Sequence, residues 1–232
     1  ERFAARRLAA AARASRELVV AATSWLVRSA AGGDLAFLAL EERDRSAEAV
    51  ATAVGTAVHR FLESLAPGSD WTGERRRVIP ELRALLSRRL PTEPARGAAE
   101  AELEQILDRL ATGPLRERFD RLAGRIVARE LPLLLPPPPG DAAPLGALTA
   151  TVDLLYLDPG DGALVVADHK TDRLEDDALL LARHGPQLRL YAEGLAAALG
   201  LARPPRAELW LLRHGRILRL DEAPGADGSA PR

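Results

Sequence analysis

The chain has 232 residues, 47% apolar and 28% charged, with a formal net charge of −1. That length can bury a sizeable core, and the balance is ordinary for a soluble globular protein; only a local arginine surface could draw it to nucleic acid. The absence of cysteine excludes disulfides, thiolate zinc sites and iron–sulfur clusters and fits a reducing cytoplasm.

The longest apolar runs, such as "LPLLLPPPP", are too short and proline-broken to span a bilayer, so no membrane is expected. No signal peptide is visible. A chain that begins at Glu1 and contains no methionine reads as a fragment of something longer or a processed form.

The first half reads as helices. Residues 2–29, rich in Ala, Leu and Arg without Pro or Gly, have high helix propensity, and "GG" at 32–33 interrupts them. Residues 46–65 start at a Ser46 cap and place Val50, Val54, Val58, Phe61 and Leu65 at helical spacing, so one face is expected to be buried. Further helices are predicted over 79–90, 98–111 and 114–128.

The texture changes near residue 129. "RELPLLLP" is a short apolar run ended by "PPPPGDAAP". "LGALTATVDLLYL", the turn "DPGDG" and "ALVVADHK" then read as a β-hairpin. A helix is expected over about 174–200, and "AELWLLRHGRILRL" gives a second hairpin turning at "HGR". The order predicts an α/β fold: a helical N-terminal region over 1–128, an α/β core over 129–222 and a disordered tail over 223–232, in one integrated domain.

Of the 32 Lys and Arg residues, one alone is lysine, Lys170. Asp168 lies two residues before it on a predicted strand, so both side chains share a face. Asp153, on the preceding strand of the hairpin, can come alongside. Converging carboxylates call for a cation, and hard oxygen ligands favour Mg²⁺ or Mn²⁺. With a lysine to orient water or stabilise developing charge, such a group suits phosphodiester hydrolysis. In a chain that uses arginine for every other cation, a lone lysine points to a compact ammonium that the planar guanidinium cannot replace.

"GTAVHRFLE", "VDLLYLDPGDGALVVADHKTD" and "QLRLYAEGL" together resemble the PD-(D/E)XK nucleases of the RecB/AddA type, found at the C-termini of bacterial helicase–nucleases. The resemblance spans residues 55–191 and implies a central mixed β-sheet flanked by helices. It also implies a metal held by His59, Asp153, Asp168 and the backbone carbonyl of His169, with Lys170 catalytic together with Asp168 and Asp153. Gln187 and Tyr191, one helical turn apart, would contact or position DNA. Glu130 matches loosely an acidic residue of some relatives. Relatives usually have tyrosine where this chain has His169, and glycine where it has Thr151; the His169 side chain, on the opposite sheet face from Asp168, is expected to be structural. Arg173, Arg183 and Arg189 flank the site as candidate contacts to the DNA backbone.

The implied activity is a Mg²⁺- or Mn²⁺-dependent deoxyribonuclease, exonucleolytic rather than endonucleolytic, acting on single strands or DNA ends in break repair. Its implied partner is an ATP-dependent helicase portion, on the same full-length chain or another subunit. This chain carries no phosphate loop of the G-x-x-x-x-G-K-[ST] kind. The alternative is a catalytically inactive nuclease-like module that binds DNA or braces a helicase.

Overall fold

Short runs of Leu, Val and Ala in the second half of the sequence, bounded by Pro–Gly and His–Gly turns, pair into one sheet. In the computed structural model, which describes residues 19–30, 45–136 and 146–220, the strands are β1 (Val19–Ala21), β2 (Ile126–Leu135), β3 (Ala147–Leu157), β4 (Leu164–Lys170), β5 (Arg206–Leu211) and β6 (Arg216–Arg219). Helices α1 (Ala22–Ala30), α2 (Arg45–Ser64), α3 (Trp71–Arg89), α4 (Glu93–Thr112) and α5 (Pro114–Asp120) precede β2, and α6 (Asp177–Leu199) joins β4 to β5. β1 with β3 and β4 with β5 are parallel; the other pairs are antiparallel. The fold is therefore α/β, a mixed sheet between helices.

β3 is the spine. β2 pairs with it along one edge from Leu148 to Tyr156. The other edge is shared: β1 takes Ala147–Thr149 and β4 takes Leu154–Leu157. Among the described residues, 150–153 of β3 therefore have no strand partner on that side, and the sheet forks there.

Two layers cover the sheet. Val54, Val58 and Phe61 of α2, with Leu82, Leu86, Leu103 and Leu107 of α3 and α4, pack on Leu154, Tyr156, Val165, Ala167 and Trp210. Leu180, Leu188, Tyr191 and Leu195 of α6 pack on Val152, Leu155, Val166, Leu209 and Leu211. Each fully buried Leu, Val or Phe contributes about 1.5–3 kcal/mol. The alternation along β4 turns Val165 and Ala167 to the helical layer and Val166 to α6. It follows that Asp168 and Lys170 belong to the α6 side and His169 to the α2 side.

Several expected boundaries are corrected. Within the run expected to be helical over 2–29, Val19–Ala21 form β1, because pairing with β3 overrides helix propensity. Ser46 lies inside α2, which begins at Arg45. α3 begins at Trp71 behind an Asp70 cap and carries Pro80 in its interior, not at its start. The helix expected to reach residue 128 ends at Asp120, and residues from Ile126 on enter β2. Among the described residues β2 pairs only with β3, so Pro132 sits on an edge strand there, where its missing N–H is tolerated. The proline run beyond Pro136, the "GG" at 32–33 and the tail expected over 223–232 lie outside the described residues.

Candidate active site

The fork has a local cause on both strands that frame it. Residues 152 and 154 of a regular strand share a face, yet Val152 joins the α6-side core and Leu154 the α2-side core. The chain turns over at Asp153. Across the ladder, Arg129 pairs with Leu154 and Leu131 with Val152, with no pair between them. The residue skipped is Glu130, at φ 44°, the one non-glycine residue with positive φ among those described. A glutamate in that region is uncommon and concentrates at functional sites.

His59 reaches this point from α2. Its Nε2 lies 3.0 Å from the carbonyl oxygen of His169, and its Nδ1 lies 3.6 Å from Asp153 Oδ1. The His169 amide donates to Asp153 Oδ2 at 2.6 Å, replacing the ladder bond lost at the fork. On the α6 side, Lys170 Nζ stands 2.6 Å from Asp168 Oδ2. At that distance the ammonium and the buried carboxylate form a charge-assisted pair. Asp168 is 2% exposed and His169 5%. A ring nitrogen of His59, one of His169 and an Asp153 oxygen lie within 4.8 Å of one another.

Burial works against every charge here, and neighbours decide the outcome. For His59 burial opposes protonation, but Asp153 outweighs it and raises the pKa. For Asp153 burial is likewise outweighed: the His59 ring and the His169 amide hold it well below the usual carboxylate range. Burial pushes Asp168 up, with the Asp153 charge adding to it and Lys170 opposing. Lys170 loses hydration on burial, yet Asp168 keeps its pKa raised, so the ammonium stays charged. Burial takes His169 down to about 4, leaving it neutral. Glu130 is raised, by burial first and by Asp153 second.

The structure thus brings together His59, Asp153, Glu130 and His169 on one side and Asp168 with Lys170 on the other side of β4. It adds Glu63, one helical turn after His59, which lines a small cavity with His59, Glu130, Asp153 and His169. The i, i+4 spacing in "HRFLE" is the signal that could have found it. Arg129, the neighbour of Glu130, donates to the carbonyls of Leu62, Glu63 and Leu65, tying the C-terminal end of α2 to β2. Gly55 serves close approach: a Cβ there would stand 3.1 Å from Thr171 Oγ1, just past Lys170.

On α6, Gln187 Nε2 donates to the Tyr191 hydroxyl at 2.5 Å. Tyr191 also borders an open groove of about 310 Å³ with Thr23, Thr149 and Thr151, along the unpaired edge of β3. Of the flanking arginines, Arg173 pairs with Glu102 at 2.5 Å, Arg183 pairs with Asp172 at 3.1 Å, and Arg189 is exposed on α6. Asp172 is further fixed by His184 at 3.1 Å, whose hydrogen bond depresses its pKa. Glu102 also pairs with Arg213, which donates to the Thr171 carbonyl at 3.1 Å. This clasp, invisible in the sequence, fixes the strand exit behind Lys170.

The donor set fits a divalent cation. The Asp153 carboxylate and the two imidazoles of His59 and His169 converge, with the His169 carbonyl 3.0 Å from His59 Nε2, a mixed oxygen and nitrogen donor set. No helix among the described residues is long and apolar enough to cross a membrane. A family model described as the PD-(D/E)XK nuclease superfamily matches residues 24–226. No curated protein matches the chain.

Proposed function

The chain belongs to the PD-(D/E)XK nuclease superfamily, and from that premise we propose a Mg²⁺- or Mn²⁺-dependent deoxyribonuclease of the RecB/AddA type. In this reading it is the C-terminal nuclease module of a helicase–nuclease, working exonucleolytically on single strands or DNA ends in break repair. The ATP-dependent helicase would lie on the same full-length chain or on a partner subunit. One observation carries the reading: the lone lysine stands 2.6 Å from a buried carboxylate, beside a fork that gathers Asp153 and His59.

His59, Asp153, Asp168 and the His169 carbonyl would hold the metal, which supplies Lewis-acid polarisation of the phosphate and a more acidic water. Lys170, held charged by Asp168, is an electrostatic group and not a base. Its ammonium would donate to the attacking water or to a non-bridging phosphate oxygen as negative charge builds. Gln187 donates to the Tyr191 oxygen, which leaves the phenolic O–H to donate to a phosphate along the groove. Arg173, Arg183 and Arg189 would meet the strand at the rim, where neutralised phosphates make binding salt-dependent.

The test is digestion of end-labelled linear single-stranded DNA by the native chain and by Lys170→Ala, in Mg²⁺, Mn²⁺ and EDTA. Metal-dependent cleavage that disappears in the variant is the expected result, and release of labelled mononucleotide marks exonuclease action. Equal DNA binding without cleavage by either protein would favour the inactive binding module instead.

A further inference from the structure

On β4 two neighbouring residues carry fully buried side-chain polar atoms: Asp168 Oδ2, which is met by the Lys170 ammonium at 2.6 Å, and His169 Nε2, which has no hydrogen-bond partner among the described residues. The oxygen belongs to Asp168, a proposed metal ligand. The nitrogen has no such role: of His169 only the carbonyl is a proposed ligand. Packing alone does not call for an imidazole here. The ring sits 5.7 Å from the His59 ring and 5.5 Å from that of Trp210, contacts that a phenyl ring would make without burying an unpaired nitrogen.

The His169 ring has acidic company. His169 lines a cavity of about 10 Å³ with His59, Glu63, Glu130 and Asp153, room for one water-sized occupant. Glu130 is brought there by its positive φ of 44°. Arg129 borders the same cavity, but its NH1 is committed to three carbonyls of α2. A ring nitrogen from each histidine and an Asp153 oxygen fall within 4.8 Å of one another, a grouping that a cation could draw together.

We propose that the His169 side chain is a nitrogen ligand of the divalent cation beside His59 and Asp153, so that this centre favours a transition-metal ion such as Mn²⁺ over Mg²⁺. Two imidazoles shift a donor set from the all-oxygen kind that suits Mg²⁺ towards one that binds first-row transition ions. The inference rests on the metal-dependent nuclease reading and adds a ligand and a metal preference to it.

The experiment uses the full chain with Mn²⁺ alone. Pulsed electron paramagnetic resonance counts imidazole nitrogens coupled to bound Mn²⁺, and calorimetry measures Mn²⁺ and Mg²⁺ affinity, in the native protein, His169→Tyr and His169→Gln. Two coupled imidazoles are expected in the native protein and one in each variant. Mn²⁺ affinity should fall by roughly tenfold or more, while Mg²⁺ affinity changes little. A melting curve checks each variant for folding; the glutamine variant, with the smaller side chain, answers if tyrosine does not fit. One coupled imidazole in the native protein, or unchanged Mn²⁺ affinity in a folded variant, overturns the inference. Continued metal-dependent cleavage in that case leaves the nuclease reading standing. No Mn²⁺ binding and no cleavage by the native chain removes both.

Discussion

Two buried polar clusters share strands β3, β4 and β5, with Trp210 between them. On one side of Trp210, Glu208 (2% exposed) accepts from Tyr156 Oη at 2.5 Å and from Trp210 Nε1 at 3.0 Å, with Arg118 at 3.5 Å. Arg118 also pairs with Asp158 at 2.7 Å. On the other side, the Trp210 ring faces His169, whose Nε2 has no hydrogen-bond partner, and Asp168 lies buried with Lys170 as its neighbour at 2.6 Å. The first cluster satisfies its members and ties α5 to the sheet. The second concentrates like charges and leaves a ring nitrogen unpaired, as sites built for a ligand do. Buried polarity in one sheet thus divides into a structural network and a chemical one.

Substitutions should separate the two. The largest effect is expected from Lys170→Ala: cleavage in Mg²⁺ or Mn²⁺ should fall by at least about 10²–10³-fold, with the folded state kept in circular dichroism. Lys170→Arg should not restore it, because a planar guanidinium replaces a compact ammonium poorly.

Glu208→Ala should do the reverse. It leaves Tyr156 and Trp210 without their acceptor and Arg118 with Asp158 as its remaining carboxylate, and loss of one member of a buried charged network costs about 3–5 kcal/mol. Urea denaturation should show that loss, while protein that remains folded at low temperature still cleaves DNA.

Acid should act oppositely on the two clusters. Arg118 depresses Asp158 to about 2 in the fold, against an ordinary value of 3.8. Its stabilisation is therefore present above pH 4 and is lost as the pH falls towards 2. Asp168, raised by burial, takes up its proton before an unfolded aspartate does, so acid relieves that group instead. Asp158→Asn should flatten the decline in melting temperature between pH 4 and 2, and Asp168→Asn should not.

The smallest effect is expected at Gly55, which separates helix stability from site geometry. Alanine gains up to about 1 kcal/mol of helix propensity, offset by displacement of Thr171 Oγ1, 3.1 Å from the added Cβ. Thermal stability should stay near native while cleavage falls severalfold, because the shift is passed to the strand end bearing Lys170.

The hairpin "DLLYLDPGDGALVV" and the turn "HGR" were legible in the sequence because turn chemistry and strand composition agree there; β3 with β4 and β5 with β6 are antiparallel neighbours. β1 was not legible: three residues inside an Ala- and Leu-rich run carry too little local signal, and only pairing with β3 makes them a strand. The start of α3 at Trp71, eight residues before the helix expected from residue 79, was missed; the helix runs through Pro80. In the site, the alternation of Asp168 and Lys170 and the i, i+4 pair Gln187 and Tyr191 could be read from spacing. The positive φ of Glu130, the turn-over at Asp153 and the Glu102 clasp could not, because each depends on contacts far apart in sequence. The His169 ring was expected to be structural; it faces away from Asp168 as expected, yet it meets His59 and Asp153.

The most direct test of the metal centre is the melting temperature of the native chain and of Asp168→Asn, each in EDTA and in Mn²⁺. At Mn²⁺ about 100 times its dissociation constant, binding to the folded state should raise the native melting point by roughly 5–10 °C. Asp168→Asn, lacking the charge of the proposed ligand, should show little or none of that rise. A rise in the variant as large as in the native chain, or none in the native chain, would contradict a divalent cation held by Asp168 at the fork of the sheet.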